Sequence, residues 1–115
     1  MSNKAGSKWI RAEKRLAIYA RDAHACVYCG SAANLSLDHI VPRELGGTHE
    51  ASNLVTACVR CNSARRDLPL SDWLDVMADR GVDRAELRLR VARARKAHVD
   101  LHEAKRLLAA RGKMA

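Results

Sequence analysis

Apolar and polar positions alternate over Leu35-Ser-Leu-Asp-His39, the period-two pattern of a half-buried strand. A second strand is expected over Leu54-Val-Thr-Ala57, an apolar run with β-branched residues. Between them, Pro42 to Asn53 is rich in glycine and polar residues and reads as a loop. The rest of the chain is helical in spacing. From Ser7 to about Asp22, Ile10, Leu16, Ala17 and Ala20 can share one face, with Lys8, Arg11, Lys14, Arg15 and Arg21 charging the others. Asn62 to Asp67 reads as a short helix that stops before Pro69. Ser71 is placed to cap a helix to about Arg80, with Gly81 as its stop. Asp83 with Glu86 resembles a capping box. It opens a final helix expected to run to about Arg111, whose stripe is Leu87, Val91, Ala94, Ala97, Leu101, Ala104 and Leu108.

Two strands among helices predict an α+β fold. A chain of 115 residues fits one domain spanning 1–115. It divides into a basic N-terminal helix over 7–22, a core over 26–67 and a helical extension over 71–111. No internal repeat is visible. The core can only be modest, and with no phenylalanine and few other aromatics, large rings cannot supply much of its packing. Chains this short often lean on a metal, disulfides or a partner subunit.

Charge narrows the partners. The net charge is +8, which favours a polyanion such as a nucleic acid. The opening residues, MSNKAGSKWIRAEKR, are polar and lack the apolar segment of a secretory signal. No stretch approaches the length of a membrane span. A cytosolic setting and no membrane partner are therefore expected. In that setting four cysteines are metal ligands rather than disulfides.

Cys26 and Cys29 make one CxxC, and Cys58 and Cys61 another. Each knuckle aims two thiolates at one ion, and two knuckles complete a tetrahedral shell around zinc. Four thiolates leave no open position, so the zinc is expected to be structural. Four cysteines can also hold an iron–sulfur cluster, the second reading.

Such a centre would pin Cys29 to Cys58 and fold the chain between them back on itself. Asp38 and His39 would then approach Asn62, just past the second knuckle. Asp38 and Asn62 are hard oxygen donors suited to magnesium or manganese. His39, with an ordinary pKa near ~6.5, can take a proton from water at neutral pH. A divalent ion and a base in a basic protein suit phosphodiester hydrolysis. One geometric difficulty stands: neighbours on a regular strand point to opposite faces, so Asp38 and His39 meet one phosphate only at a distorted or terminal pleat. Arg65, with Arg66 and Arg60 as weaker candidates, can bind phosphate through its fork. His49, in the loop, can contact the phosphate or the base. His98 and His102 are four apart on the final helix with no third ligand, which favours a solvated face.

The order CVYCG, LDHIVP, GG, SNL and CVRCN resembles the HNH nuclease family of bacterial or phage type, over about Cys26 to Arg66. The resemblance implies a small ββα-metal core with a zinc-pinned hairpin. It makes His39 the general base and Asn53 the residue that braces the hairpin and helps orient that base. Asp38 matches the metal ligand preceding the base. Asn62 stands where the last His often is, and relatives with Asn there favour magnesium or manganese, with nickel possible. The resemblance further implies DNA as substrate, minor-groove engagement and a bacterial or phage-infected cytoplasm.

The expected function is thus metal-dependent DNA cleavage. The alternatives are a zinc-stabilised DNA-binding module without catalysis and an interaction subunit working through the stripe of residues 87–108. Nick or double-strand break, cut site, preferred metal and monomer or homodimer all stay open at this level.

Overall fold

The computed structural model describes residues 10–114. Helix α1 (Ala12–Arg21) precedes strand β1 (Leu35–His39), and a loop with two short 3-10 turns leads to β2 (Leu54–Cys58). Then come α2 (Val59–Arg65), α3 (Leu70–Asp79), α4 (Arg84–Lys96) and α5 (Leu101–Met114). The fold is small and α+β: an N-terminal helix, one antiparallel hairpin and C-terminal helices. Both strands begin where the hydrophobic pattern places them, and β2 runs one residue further, to Cys58. The proposed start of α1 at Ser7 lies outside the described residues.

The hairpin pairs Leu35 with Cys58, Leu37 with Thr56 and His39 with Leu54. A two-stranded ribbon is marginal alone, and here both faces are covered. Leu37 and Leu54 pack with Ile10 and Ile18 of the α1 side. Val55 and Ala57 face the larger core of Tyr28, Ile40, Trp73, Leu74, Met77, Leu87 and Val91. Tyr28 meets Trp73 edge to face, 5.5 Å between centroids, so one aromatic pair anchors a core otherwise built of aliphatic and sulfur side chains.

Arg21 does not join the charged outer face expected of α1. Its side chain is 2% exposed and pairs with Asp22 at 2.8 Å. It donates to the carbonyls of Ala51 and Leu54, while Asp22 accepts from the Thr56 N–H. The pair thus stitches the end of α1 to β2, and each charge has hydrogen-bonded partners as burial requires.

Helix boundaries differ from expectation in three places. The short helix begins at Val59, because the Cys58 sulfur accepts from the Cys61 N–H and caps it. Pro69, not Ser71, occupies the N-cap of α3, and no side chain caps that end. The long final helix is two helices. Asp83 caps the first through the Glu86 N–H, but the backbone at Ala97 turns extended, with ψ 143°. Asp100 then caps α5 through the Glu103 N–H at 2.9 Å. An Asp-x-x-Glu signal at 100–103 outcompetes helix continuation, so Ala97 and Leu101 are exposed and the single stripe is broken.

Candidate functional site

The two knuckles meet as their spacing predicts. The sulfurs of Cys26, Cys29, Cys58 and Cys61 all lie within 4.8 Å of one another. Cys29 and Cys58 approach to 3.7 Å, and all four are free thiols. Each knuckle closes through an N–H to sulfur contact, Cys29 to Cys26 and Cys61 to Cys58. Gly30 supplies the positive φ, +83°, with which the first knuckle leaves its turn. Burial raises the Cys26 and Cys61 thiols, an ionisation cost that a bound cation would offset. Four sulfurs with no oxygen donor fit a structural zinc ion. The cluster is the one metal-ligand group of three or more His, Cys, Asp or Glu among the described residues.

Strand β1 is regular, and its alternation separates Asp38 from His39. Asp38, 6% exposed, points into the larger core. Its Oδ2 accepts from the Tyr28 hydroxyl at 2.6 Å and from Arg65 Nη1 at 2.7 Å. Burial raises its carboxyl above the ordinary carboxylate range, against the opposing pull of Arg65 and Tyr28. Asn62 lies on the same face, donating from Nδ2 to the Leu37 carbonyl at 2.9 Å and to Ser36 Oγ at 3.0 Å. Asp38 and Asn62 thus lie on one face of the hairpin, with the Asp38 carboxylate bonded to Tyr28 and Arg65.

Arg65 is not available to a phosphate. It is 0% exposed, and its three nitrogens donate six hydrogen bonds, to Asp38, Tyr28 and the carbonyls of His39, Ile40 and Leu68. The hydrophobic pattern places a charge at the end of a short helix. Only the tertiary fold turns that charge inward, where unpaired carbonyls at the end of β1 require donors. Arg60 and Arg66 are exposed. Tyr28, inside the first knuckle, is a contributor that the sequence reading passes over; a tyrosine between two ligand cysteines was its signal.

His39 projects to the opposite face, half-buried, toward the loop. Its Nε2 lies 2.9 Å from His49 Nδ1. Burial, reinforced by His49, Arg43 and Arg65, lowers the His39 imidazole to about 4. His49 is lowered too, by burial and then by Arg43 and Lys14, so both rings are neutral at neutral pH.

Asn53 braces this loop. Its Oδ1 accepts from the Val41 N–H, and its Nδ2 donates to the carbonyls of Val41 and Thr48. Arg43 donates to the Gly47 carbonyl, and Lys14 of α1 donates to the carbonyl of His49. A Cβ on Gly47 would stand 1.7 Å from the Val41 carbonyl oxygen, so this position excludes a side chain. His98 and His102 are exposed, His98 in the linker between α4 and α5 and His102 in the first turn of α5, so the single-helix chelate geometry is lost.

With this geometry in view, comparison with known proteins is specific. Residues 26–68 match the family model described as HNH endonuclease. The structure is similar to the Type II-C Cas9 enzyme from Actinomyces naeslundii, with TM-score 0.50 and 26% identity, over 86% of this chain and 14% of that one. Comparison with curated protein sequences gives no match. The centre of the chain, β1–β2–α2 with its four-cysteine cluster, is an HNH-family nuclease domain. At family level, the match over residues 26–68 supports an HNH-type nuclease or DNA-binding module. Among the described residues, no helix is long and apolar enough to cross a membrane.

Proposed function

We propose that this protein is a divalent-metal-dependent endonuclease that hydrolyses DNA phosphodiesters. The observation that carries the reading is His39: a neutral, half-buried imidazole at the end of β1, held beside a braced loop, on the strand that also carries Asp38. A histidine kept neutral at working pH can accept a proton from an attacking water. Asp38 and Asn62 would hold magnesium or manganese, which when bound supplies charge stabilisation at the phosphate. Asn53 holds the loop against which His39 rests. Exposed Arg60 and Arg66 at the ends of α2, together with the basic helices, are placed for backbone phosphates, so binding weakens steeply with salt. The four-cysteine centre would hold structural zinc and so fix the register of the hairpin whose end carries Asp38 on one face and His39 on the other.

The domain covers a small share of the Cas9 chain it resembles, so nick or double-strand cleavage is a property of this protein to be measured. Asp38 paired to Arg65 is also what a non-catalytic DNA-binding module would tolerate, which makes that the second reading. Supercoiled plasmid incubated with magnesium, manganese or nickel separates the two. The nuclease reading expects relaxed or linear product with wild type and none with His39→Ala. Retained DNA binding with no cleavage under any of the three metals supports the binding module instead.

A further inference from the structure

The loop between the 3-10 turns is anchored more heavily than a connection requires. Asn53, Arg43 and Lys14 bind its backbone, and Gly47 packs flat against Val41. These anchors converge on one side chain that faces the strand, His49. Its Nδ1 is 2.9 Å from Nε2 of His39, with the rings tilted by 55° and their centroids 5.0 Å apart.

Two ring nitrogens at this distance share one hydrogen. Two N–H groups would clash, and two lone pairs would face each other unbonded. The contact therefore couples the tautomers of the two rings: whichever nitrogen carries the hydrogen, the partner must accept it. It also fixes the plane of the His39 ring, which a strand-end side chain would otherwise sample freely.

We propose that His49 is a positioning residue for His39: with His39 Nε2–H donating to His49 Nδ1, the ring is held in one tautomer and one orientation and His39 Nδ1 is left free to take the proton of the attacking water. This rests on the reading of His39 as the base. His49 itself need not touch substrate; it acts through His39, as an orienting partner does for a catalytic imidazole.

The test uses the full zinc-loaded chain, single-turnover cleavage of plasmid DNA with magnesium, and nitrogen-15 NMR of the imidazoles. His49→Ala is expected to lower the maximal rate about 10- to 100-fold, a fraction of the roughly 10²–10⁴-fold that a general base itself contributes, with the DNA concentration for half-maximal rate little changed. His49→Asn, whose amide can donate or accept near the Nδ1 position, should recover much of the loss. His39 should show one tautomer in wild type and a mixture in His49→Ala. An unchanged rate, or a wild-type His39 already divided between tautomers, overturns the proposal. A loss confined to DNA affinity would make His49 a phosphate contact and overturn it equally. If His39→Ala cleaves as well as wild type, the base assignment itself fails. If His39→Ala is inactive and His49→Ala is not impaired, only the role of His49 fails.

Discussion

Arg65 Nη1 donates to Asp38 Oδ2 at 2.7 Å, with the guanidinium fully buried and the carboxylate nearly so. Around this bond, the same guanidinium binds the Tyr28 hydroxyl and the carbonyls of His39 and Ile40. A helix-end cation thereby ties α2 to the end of β1, just where Asp38 and His39 diverge to opposite faces.

Breaking that pair should be costly. Removing one partner of a buried ion pair leaves the other uncompensated, worth about 3–5 kcal/mol. Arg65→Met is expected to lose stability of that order in urea denaturation, and Arg65→Lys less, since it keeps the charge but not the fork. DNA affinity of Arg65→Lys should keep the salt slope of wild type, because a buried arginine neutralises no phosphate. A shallower slope would return Arg65 to the DNA surface.

Metal removal should unfold the centre. Structural zinc contributes roughly 10–16 kcal/mol in small zinc-finger peptides, and the hairpin core here is thin. A strong chelator is expected to release one zinc per chain and abolish the cooperative thermal transition. Cys61→Ser should do the same without chelator, since Cys61 is buried within the cluster. Retention of full secondary structure after metal loss would assign the cluster a lesser role.

The depressed His39 sets a pH window. An unfolded histidine binds protons below its ordinary value near 6.5, while the folded one resists protonation until about 4. Between these values the unfolded state binds more protons, so stability falls as pH falls. Above 6.5 the contribution is fully present. The stability difference between wild type and His39→Gln should therefore change between pH 6.5 and about 4, and be flat above. A constant difference across that range would contradict the lowered value.

Asn53→Ala removes three hydrogen bonds that span the loop. At about 1 kcal/mol each, a loss of about 2–3 kcal/mol is expected. Amide exchange should quicken from Val41 to His49 while β2 stays protected. Equal loss of protection through β2 would mean that Asn53 supports the sheet rather than the loop.

The sequence by itself determined the two strands, most of the helices and the four-sulfur cluster. Two CxxC knuckles name four convergent sulfurs whatever the fold, because ligand spacing is local chemistry. The alternation from Leu35 to His39 sets both the strand and the opposite faces of Asp38 and His39, because the pleat has period two. Asn53 was legible through family resemblance alone, and the helix break at Ala97 was written in Asp100 and Glu103. Tertiary structure decided which charges turn inward. Arg21 and Arg65 read as surface cations, yet each side chain is buried where carbonyls from distant parts of the chain need donors, and Arg65 also meets the distant carboxylate of Asp38. The His39–His49 contact belongs to the same category. It joins residues ten apart across a loop whose path is set by Asn53, Gly47 and Lys14 together, and no local pattern encodes a distance between two side chains.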